Sequence, residues 1–233
     1  MTLAQKIKKK FRYGMWGLMI QGNLARIGLK FAPYILFEEN RELYETSGPD
    51  SERRGCPVPR VEDPAPGFLE RSDMAELASH RDYEYSNEQL LERMDSGNRC
   101  FGIRKDGKII AWVWCNHHTC LHPPLRFPIQ DHEAYFYDAF TIEEFRGKAL
   151  SPYIRYQLYM FSEEFGRNTA YSVAEYYNTP AVRAQQRMGA IPLQLYFYME
   201  LFGRIRWNRL LKDYQKKQGP PVGALARSHA SLT

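Results

Sequence analysis

The stretch from Glu133 to Leu201 constrains this chain more than any other. An aromatic, strand-like run, Glu133–Ile142, gives way to a short turn containing Gly147. Helical spacing follows over Pro152–Phe165, with Ile154, Leu158, Phe161 and Phe165 on one stripe and Gly166 at its end. Ala170–Ala174 reads as a second strand. Asn178 or Thr179 caps a helix from Pro180 to Met188, which Gly189 stops. Ile191–Leu201 is a long last strand. A strand–helix–strand unit over 133–175 calls for a parallel pair joined by a right-handed crossover. The expected fold is therefore one mixed α/β sheet.

The upstream half feeds the same sheet. Ser72 opens a short helix carrying Met74, Leu77 and Ala78, and Ser86 with Gln89 forms a capping box before Leu90, Leu91 and Met94. Residues 99–104 form a strand, and Lys105-Asp106-Gly107-Lys108 turns it, because Asp-Gly readily takes two positive φ values. Ile109–Cys115 returns as a nearly all-apolar strand, which suggests burial on both faces. Residues 121–130, with Pro123, Pro124 and Pro128, read as a loop, as do residues 46–67. Pro33–Phe37 reads as a short strand.

The length, 233 residues, allows one domain with extensions. Cys56, Cys100, Cys115 and Cys120 are too scattered for a small secreted disulfide framework, so reduced thiols and a cytoplasmic home are expected. No run approaches the roughly 20 apolar residues that span a bilayer. Tyr13–Ile20 follows basic residues as a signal core would, but Gln21, Asn23 and Arg26 interrupt it.

The net charge of +5 is unevenly spread. Residues 1–30 hold seven basic groups and no acid, and residues 203–217 hold six against Asp213, which leaves an acidic body. Leu3, Ile7, Phe11, Met15 and Leu18 form one helical stripe among the early lysines. Such a helix either lies on an anionic membrane surface, at the inner face of the membrane, or packs its stripe on the domain with the lysines solvated. Residues 203–217 read as one more helix and 218–233 as a frayed tail.

The chemistry concentrates where the first strand of the unit meets its helix: Phe140-Thr-Ile-Glu-Glu-Phe-Arg-Gly-Lys-Ala-Leu-Ser-Pro-Tyr153. With Ser151 as cap and Pro152 at the first helical position, the first turn offers unpaired N–H groups and a positive dipole end. Arg146 and Lys148 add full charges, so the segment is a cradle for phosphate or an ordinary turn with solvated cations.

Arg146-Gly147-Lys148-Ala149-Leu150-Ser151 resembles the acyl-CoA pyrophosphate loop of the GNAT N-acetyltransferase superfamily, whose pattern is Q/R-x-x-G-x-G/A. Arg146 matches its first position, while Ala149 and Ser151 replace two small positions; a positive φ at Ala149 would strain it. Asn178-Thr-Pro-Ala181 followed by Met188-Gly189-Ala190 resembles a second segment of that family. There Gln185 stands where the family often has the tyrosine that protonates the departing thiolate, which leaves that role to water, Tyr176 or Tyr177.

The resemblance covers residues 72–201. It implies a mixed, mostly antiparallel twisted sheet flanked by helices, of α/β (α+β) class. Residues 1–45 would be a basic N-terminal extension, 46–71 a loop, and 202–233 a basic C-terminal helix and tail. It further implies acetyl-CoA as co-substrate and a V-shaped opening between the strands near 135–141 and 170–175. Pantetheine would lie along Ala139, Phe140 and Thr141, with phosphates on the amides of Arg146, Gly147, Lys148, Ala149, Leu150 and Ser151 and with Asn178 and Ala181 nearby. A small-molecule or sugar amine acceptor would enter from the side built by residues 72–122.

An amine nucleophile needs a base. Glu175 and Asp138 are favoured over Glu133, as carboxylates on strands flanking the opening. Each has a bland reading as a structural ion pair. Cys115, His117, His118, Cys120 and His122 cluster in sequence, but their spacing fits no standard zinc site, and no metal is expected. No nucleic-acid motif is present. Two alternatives remain: the same fold with another donor (a longer acyl-CoA or an aminoacyl-tRNA), and a non-catalytic module whose basic ends hold a membrane or nucleic acid.

Overall fold

The computed structural model describes residues 16–40, 58–122, 125–162 and 166–215. Most of the basic N-terminal stripe, much of the 46–67 loop and the 218–233 tail lie outside these residues. The elements are α1 (Trp16–Arg26), β1 (Leu29–Asn40), β2 (Ala65–Phe68), α2 (Met74–Ser79), α3 (Asn87–Asp95), β3 (Arg99–Lys105) and β4 (Lys108–Asn116). After them come β5 (Thr119–His122), β6 (Leu125–Pro128), β7 (Glu133–Thr141), α4 (Leu150–Ser162), β8 (Thr169–Glu175), α5 (Thr179–Arg187), β9 (Ile191–Leu201) and β10 (Ile205–Asp213). No described helix is long and apolar enough to cross a membrane.

Eight strands form one sheet in the order β10-β9-β1-β8-β7-β4-β3-β2, and β7 with β8 is its parallel pair. The other neighbours run antiparallel. The local signals act as expected. Asp106 and Gly107 take φ of 51° and 78° in the β3–β4 turn. Ser86 Oγ accepts from Gln89 N at 3.4 Å while Gln89 Oε1 accepts from Ser86 N at 2.9 Å, closing the capping box of α3. β4 is buried on both faces: Val113 and Ala111 pack towards α4, while Trp112 and Trp114 pack with Met74, Leu77 and Leu90 of α2 and α3.

Four expectations about the elements fail, each for a physical reason. The end of the expected 46–71 loop is the edge strand β2, because the outer side of β3 is open to pairing with Ala65–Phe68 and an edge position tolerates Pro66. The short strand at 33–37 is a twelve-residue strand between β9 and β8, at the heart of the sheet. Proline normally ends a central strand because it cannot donate. Here the Pro33 carbonyl accepts from Tyr176 N at 2.8 Å, just past the end of β8, so its missing N–H points where the β8 ladder has not begun.

The basic segment expected as a C-terminal helix is strand β10. Phe202 and Gly203 both take positive φ, 51° and 71°, and fold the chain back onto β9, where Trp207 packs edge-on against Phe197. Sheet pairing supplies what helix spacing alone suggested otherwise. The proline-rich loop at 121–130 contains a small hairpin, β5 with β6, that buries Cys120 against Tyr135 and Tyr171.

Candidate functional site

The site begins where β7 and β8 part. Their parallel pairing runs from Glu133↔Thr169 to Phe136↔Ser172 and stops. Beyond it β7 stays with β4, while β8 stays with β1 through Tyr34↔Glu175. Two strands that share a ladder and then follow different partners leave a wedge between Tyr137–Thr141 and Val173–Glu175, at their C-terminal ends. Ala139 is exposed on that edge.

A bulge sharpens the fork. Trp112 opposes Phe140 and Trp114 opposes Tyr137, so β7 carries one extra residue. Asp138 sits in it with φ of 48°, a conformation that Asp tolerates better than most residues. The bulge also breaks the expected alternation of faces: Tyr137 and Phe140 join the same cluster, beside Trp112 and Trp114.

Asp138 Oδ2 accepts from Tyr83 Oη at 2.7 Å and from Arg93 Nη1 at 2.5 Å. Tyr83 Oη in turn accepts from Trp114 Nε1 at 3.2 Å, and the Arg93 guanidinium lies 3.9 Å from the Tyr85 ring centroid. Burial, followed by the charge of Asp138, pushes the Tyr83 hydroxyl well above its ordinary value, so it stays a donor. The structural reading of Asp138 is the one these contacts favour: its carboxylate ties the bulge to α3 and to the loop before it.

Glu175 ends β8 on the face shared with Tyr34, its cross-strand partner. Its residue surface is open to solvent, yet protein crowds its carboxyl, and this desolvation, reinforced by the charge of Glu84, raises its pKa above the ordinary carboxylate value. Glu84, Tyr83 and Tyr85 come from the α2–α3 loop, which sequence reasoning passed over; the alternation of acids and tyrosines in Asp82-Tyr-Glu-Tyr85, just before the Ser86 cap, was the available signal. Asp138 thus bonds to this loop, and Glu175 feels the charge of its Glu84.

Tyr177 is placed differently from expectation. A Cβ on Gly17 would fall 2.2 Å from Tyr177 Cγ, so the ring rests directly on α1. It lines a depression with Pro33, Leu195, Phe197 and Leu211. Pro33 precedes Tyr34 and faces the other way, which puts Tyr177 across the sheet from Glu175. A proton-donor role beside Glu175 does not fit that position.

The loop after β7 takes up the other end of the fork. Glu143–Phe145 is one turn of 3-10 helix, and the Arg146 side chain donates from Nε to Thr141 O at 2.9 Å, which folds the loop back on its strand. Gly147 and Ala149 take φ of 79° and 59°. The anticipated strain at Ala149 is therefore present, on the order of 1 kcal/mol or more for an L-residue in this region. Helix α4 starts at Leu150, two residues earlier than expected, which places Ser151 and Pro152 within its first turn; the cap position falls to Ala149, whose carbonyl accepts from Tyr153 N at 3.3 Å.

Among the described residues, nothing accepts a hydrogen bond from the N–H groups of Gly147, Lys148, Ala149, Leu150 or Ser151. Five unused donors at the start of a 13-residue helix suit the pyrophosphate of a nucleotide thioester. Lys148 lies over the Phe145 ring at 4.5 Å and Arg146 near Phe140, so both cations stay beside these donors.

Asn178 caps α5, its Oδ1 accepting from Ala181 N at 3.3 Å, so its side chain is spent on the helix. Ala181 packs with Ile35, Phe37, Ala174 and Ala190. Gln185 is buried, with Glu39, Arg155 and Ser172, directly behind the fork.

The Cys/His run does not converge. Cys115 and Cys120 fall in different hydrophobic clusters, and the His122 ring lies tilted against Tyr34 with centroids 5.4 Å apart. Burial and the nearby Arg167 push the His117 imidazole down to about 4, so it is neutral at pH 7. His117 and His118 follow Asn116, which pairs with Tyr135 below the fork. No group of three or more such ligands gathers among the described residues.

No protein-family model matches the sequence, and no curated protein matches it. Solved structures do. A GCN5-related glucosamine N-acetyltransferase region of a fungal multi-domain beta-N-acetylglucosaminidase aligns with a TM-score of 0.53 at 13% identity, over 78% of this chain and 22% of that one. A GNAT-family acetyltransferase from Colwellia psychrerythraea aligns with 0.50 at 14%, over 74% and 57%. A tandem GNAT protein of the clavulanic acid biosynthesis pathway aligns with 0.50 at 12%, over 77% and 54%. This chain spans well under two thirds of each of these neighbours. Its architecture is that of the GNAT fold, a mostly antiparallel sheet with a single parallel fork and helices on both faces.

Proposed function

We propose that this chain is an acyl-CoA-dependent N-acyltransferase that transfers acetyl from acetyl-CoA to a small-molecule or sugar amine in a ternary complex. One observation carries the reading: the strands part at Phe136/Ser172, and five N–H donors with no acceptor among the described residues lead into the helix that follows the same edge. A thioester with a long pantetheine arm suits that pairing of a wedge and an anion cradle. In this reading the arm pairs along Ala139–Thr141 and the pyrophosphate lies on residues 147–151.

The step itself is ordinary acyl transfer. An alkyl ammonium, with a pKa near 10.4, must lose a proton before it attacks. Glu175 receives that proton, directly or through a water, and its raised pKa suits it for the task. The amine nitrogen then bonds to the thioester carbonyl carbon, the carbon–sulfur bond breaks, and the second proton shed by the nitrogen passes through solvent to the departing thiolate. Glu84 beside Glu175 adds negative charge that favours a cationic acceptor over a neutral one. The placement of acceptor and thioester together supplies much of the rate.

Charge reversal in the loop tests this. Arg146→Glu, measured by calorimetry with coenzyme A, is expected to weaken binding about tenfold or more, because a repulsive carboxylate replaces a cation beside the diphosphate. Equal affinity for the two proteins would place the nucleotide elsewhere. A thermal-shift series of acetyl and longer acyl thioesters then reads the donor.

A further inference from the structure

The β10 edge of the sheet, separated from the fork by β9 and β1, carries a surface that the acyltransfer reading does not use. Leu29 and Ile205 both pair with Leu201, and Phe202 N donates to Gly28 O, so the α1–β1 turn and the β9–β10 turn lie side by side. Three large apolar side chains stand out there: Phe202 is 74% exposed, Ile27 67% and Ile205 62%. Trp207 and Leu211 continue the exposed row along β10, and Leu211 lines the depression of about 260 Å³ shared with Phe197 and Tyr177. From Ile205 to Leu211 this row spans about 20 Å.

Cations border that row and also interrupt it, since Arg209 shares the face of Ile205 and Trp207. Arg26, Arg204 and Arg209 are exposed and have no acidic partner among the described residues. Lys30 and Arg206 share Glu200. Charged residues on an edge strand also discourage edge-to-edge pairing, which accounts for part of the basic character. It does not account for a Phe held at a positive φ in the turn with three quarters of its surface in water.

We propose that this end of the molecule, the last turn of α1 with the β9–β10 hairpin, seats on an anionic lipid bilayer. Ile27, Phe202, Ile205 and Trp207 enter the boundary between headgroups and acyl chains, and Arg26, Arg204 and Arg209 meet lipid phosphates. Large apolar side chains ringed by cations, with a Trp among them, suit that boundary.

Other occupants fit less well. Residues 1–15 and 216–233 carry only basic charges, the same sign as the rim. Residues 41–57 leave β1 at Asn40, the opposite end of a twelve-residue strand. A second copy would oppose cations to cations. A nucleic acid would satisfy the cations and leave the aliphatic groups in water.

The test uses the full chain with vesicles of phosphatidylcholine alone or mixed with phosphatidylglycerol. Flotation with the mixed vesicles, little with the neutral ones, and quenching of Trp207 by brominated acyl chains are expected; Trp207→Phe identifies that signal against Trp16, Trp112 and Trp114. Phe202→Ser combined with Ile205→Ser, and Arg204→Glu combined with Arg209→Glu, should each reduce partitioning on the order of tenfold. Both double variants should keep the wild-type far-UV spectrum, because the changed side chains are exposed. Four results would each overturn the proposal. The first is binding to vesicles without quenching of Trp207. The second is shielding of Trp207 from acrylamide before lipid is added, which would assign the row to a segment of the chain itself. The third is a light-scattering mass of a dimer that the serine variant halves, and the fourth is stronger binding to RNA than to mixed vesicles.

Discussion

Replacing Arg155 by Met tests the framework that holds α4 to the sheet. Glu39 of β1 is fully buried, and Arg155 of α4 brings Nη1 to 3.4 Å from its Oε1. With the Gln185 amide turned so that its nitrogen faces Glu39, it donates there at 2.8 Å, while its oxygen accepts from Arg155 Nη2 at 3.1 Å and Ser172 Oγ at 2.9 Å. One buried cluster thus joins β1, α4, β8 and α5. Burial raises the Glu39 pKa, and Arg155 is the cation that opposes the rise.

Removing one partner of a buried pair costs about 3–5 kcal/mol. The Gln185 donor remains, so the lower end of that range applies. At a urea m-value on the order of 2–3 kcal/mol/M, the midpoint should fall by roughly 1–2 M. The double variant Glu39→Gln with Arg155→Met should recover much of the loss, since no charge is then left buried. The pH dependence has a definite sign. Without Arg155 the folded pKa of Glu39 rises further above its unfolded value. The charged group then penalises the fold above the unfolded pKa, and the penalty shrinks as pH falls towards the ordinary carboxylate range. The gap between variant and wild type should therefore narrow on going from about pH 7 to about pH 5. A double variant that loses the sum of the two single losses, with no pH trend, would refute the coupling.

Two carboxylates at the fork separate by chemistry. Glu175→Gln should lower kcat/KM by about two to four orders of magnitude and remove the acidic limb of its pH profile, a limb that lies above the ordinary carboxylate pKa because Glu175 is raised. Asp138→Asn keeps a side chain suited to positive φ, so it should lose mainly the Arg93 pair, roughly 1–3 kcal/mol by urea unfolding, while the acidic limb stays. A profile altered by the Asp138 variant and not by the Glu175 variant would exchange their roles. Ala149→Gly relieves a φ of 59° and should leave coenzyme A affinity and stability equal or slightly higher, whereas Ala149→Val should weaken both; a loss of affinity with Gly would show that the loop needs its Cβ.

Much of the fold was legible because local rules and sheet pairing agreed. The Asp106-Gly107 turn, the Ser86 capping box and the strand–helix–strand unit formed where their residues asked for it. Elements decided by partners were misread. Pro33 spoke against a long central strand, and only the place where β8 ends makes it harmless. Residues 205–213 have helix-compatible spacing, but β9 offers them an open edge and Phe202-Gly203 turns them onto it.

The site shows the same division. The row of N–H groups ahead of α4 could be read directly, since a strand followed by a Gly-containing turn and a helix leaves such groups unpaired by the helix itself. The orientation of the carboxylates could not. Strict alternation sends Tyr137 and Asp138 to opposite faces, yet the extra residue in β7 lets both engage the α2–α3 side. That bulge depends on a mismatch between β4 and β7 that neither strand reveals alone. The same event splays β7 from β8: a strand that gains a residue against one neighbour turns and twists more strongly at that point. The fork that would admit a thioester and the rotation that brings Asp138 to Arg93 therefore have one cause. This explains why Asp138 is better suited to holding the wedge open than to taking a proton inside it.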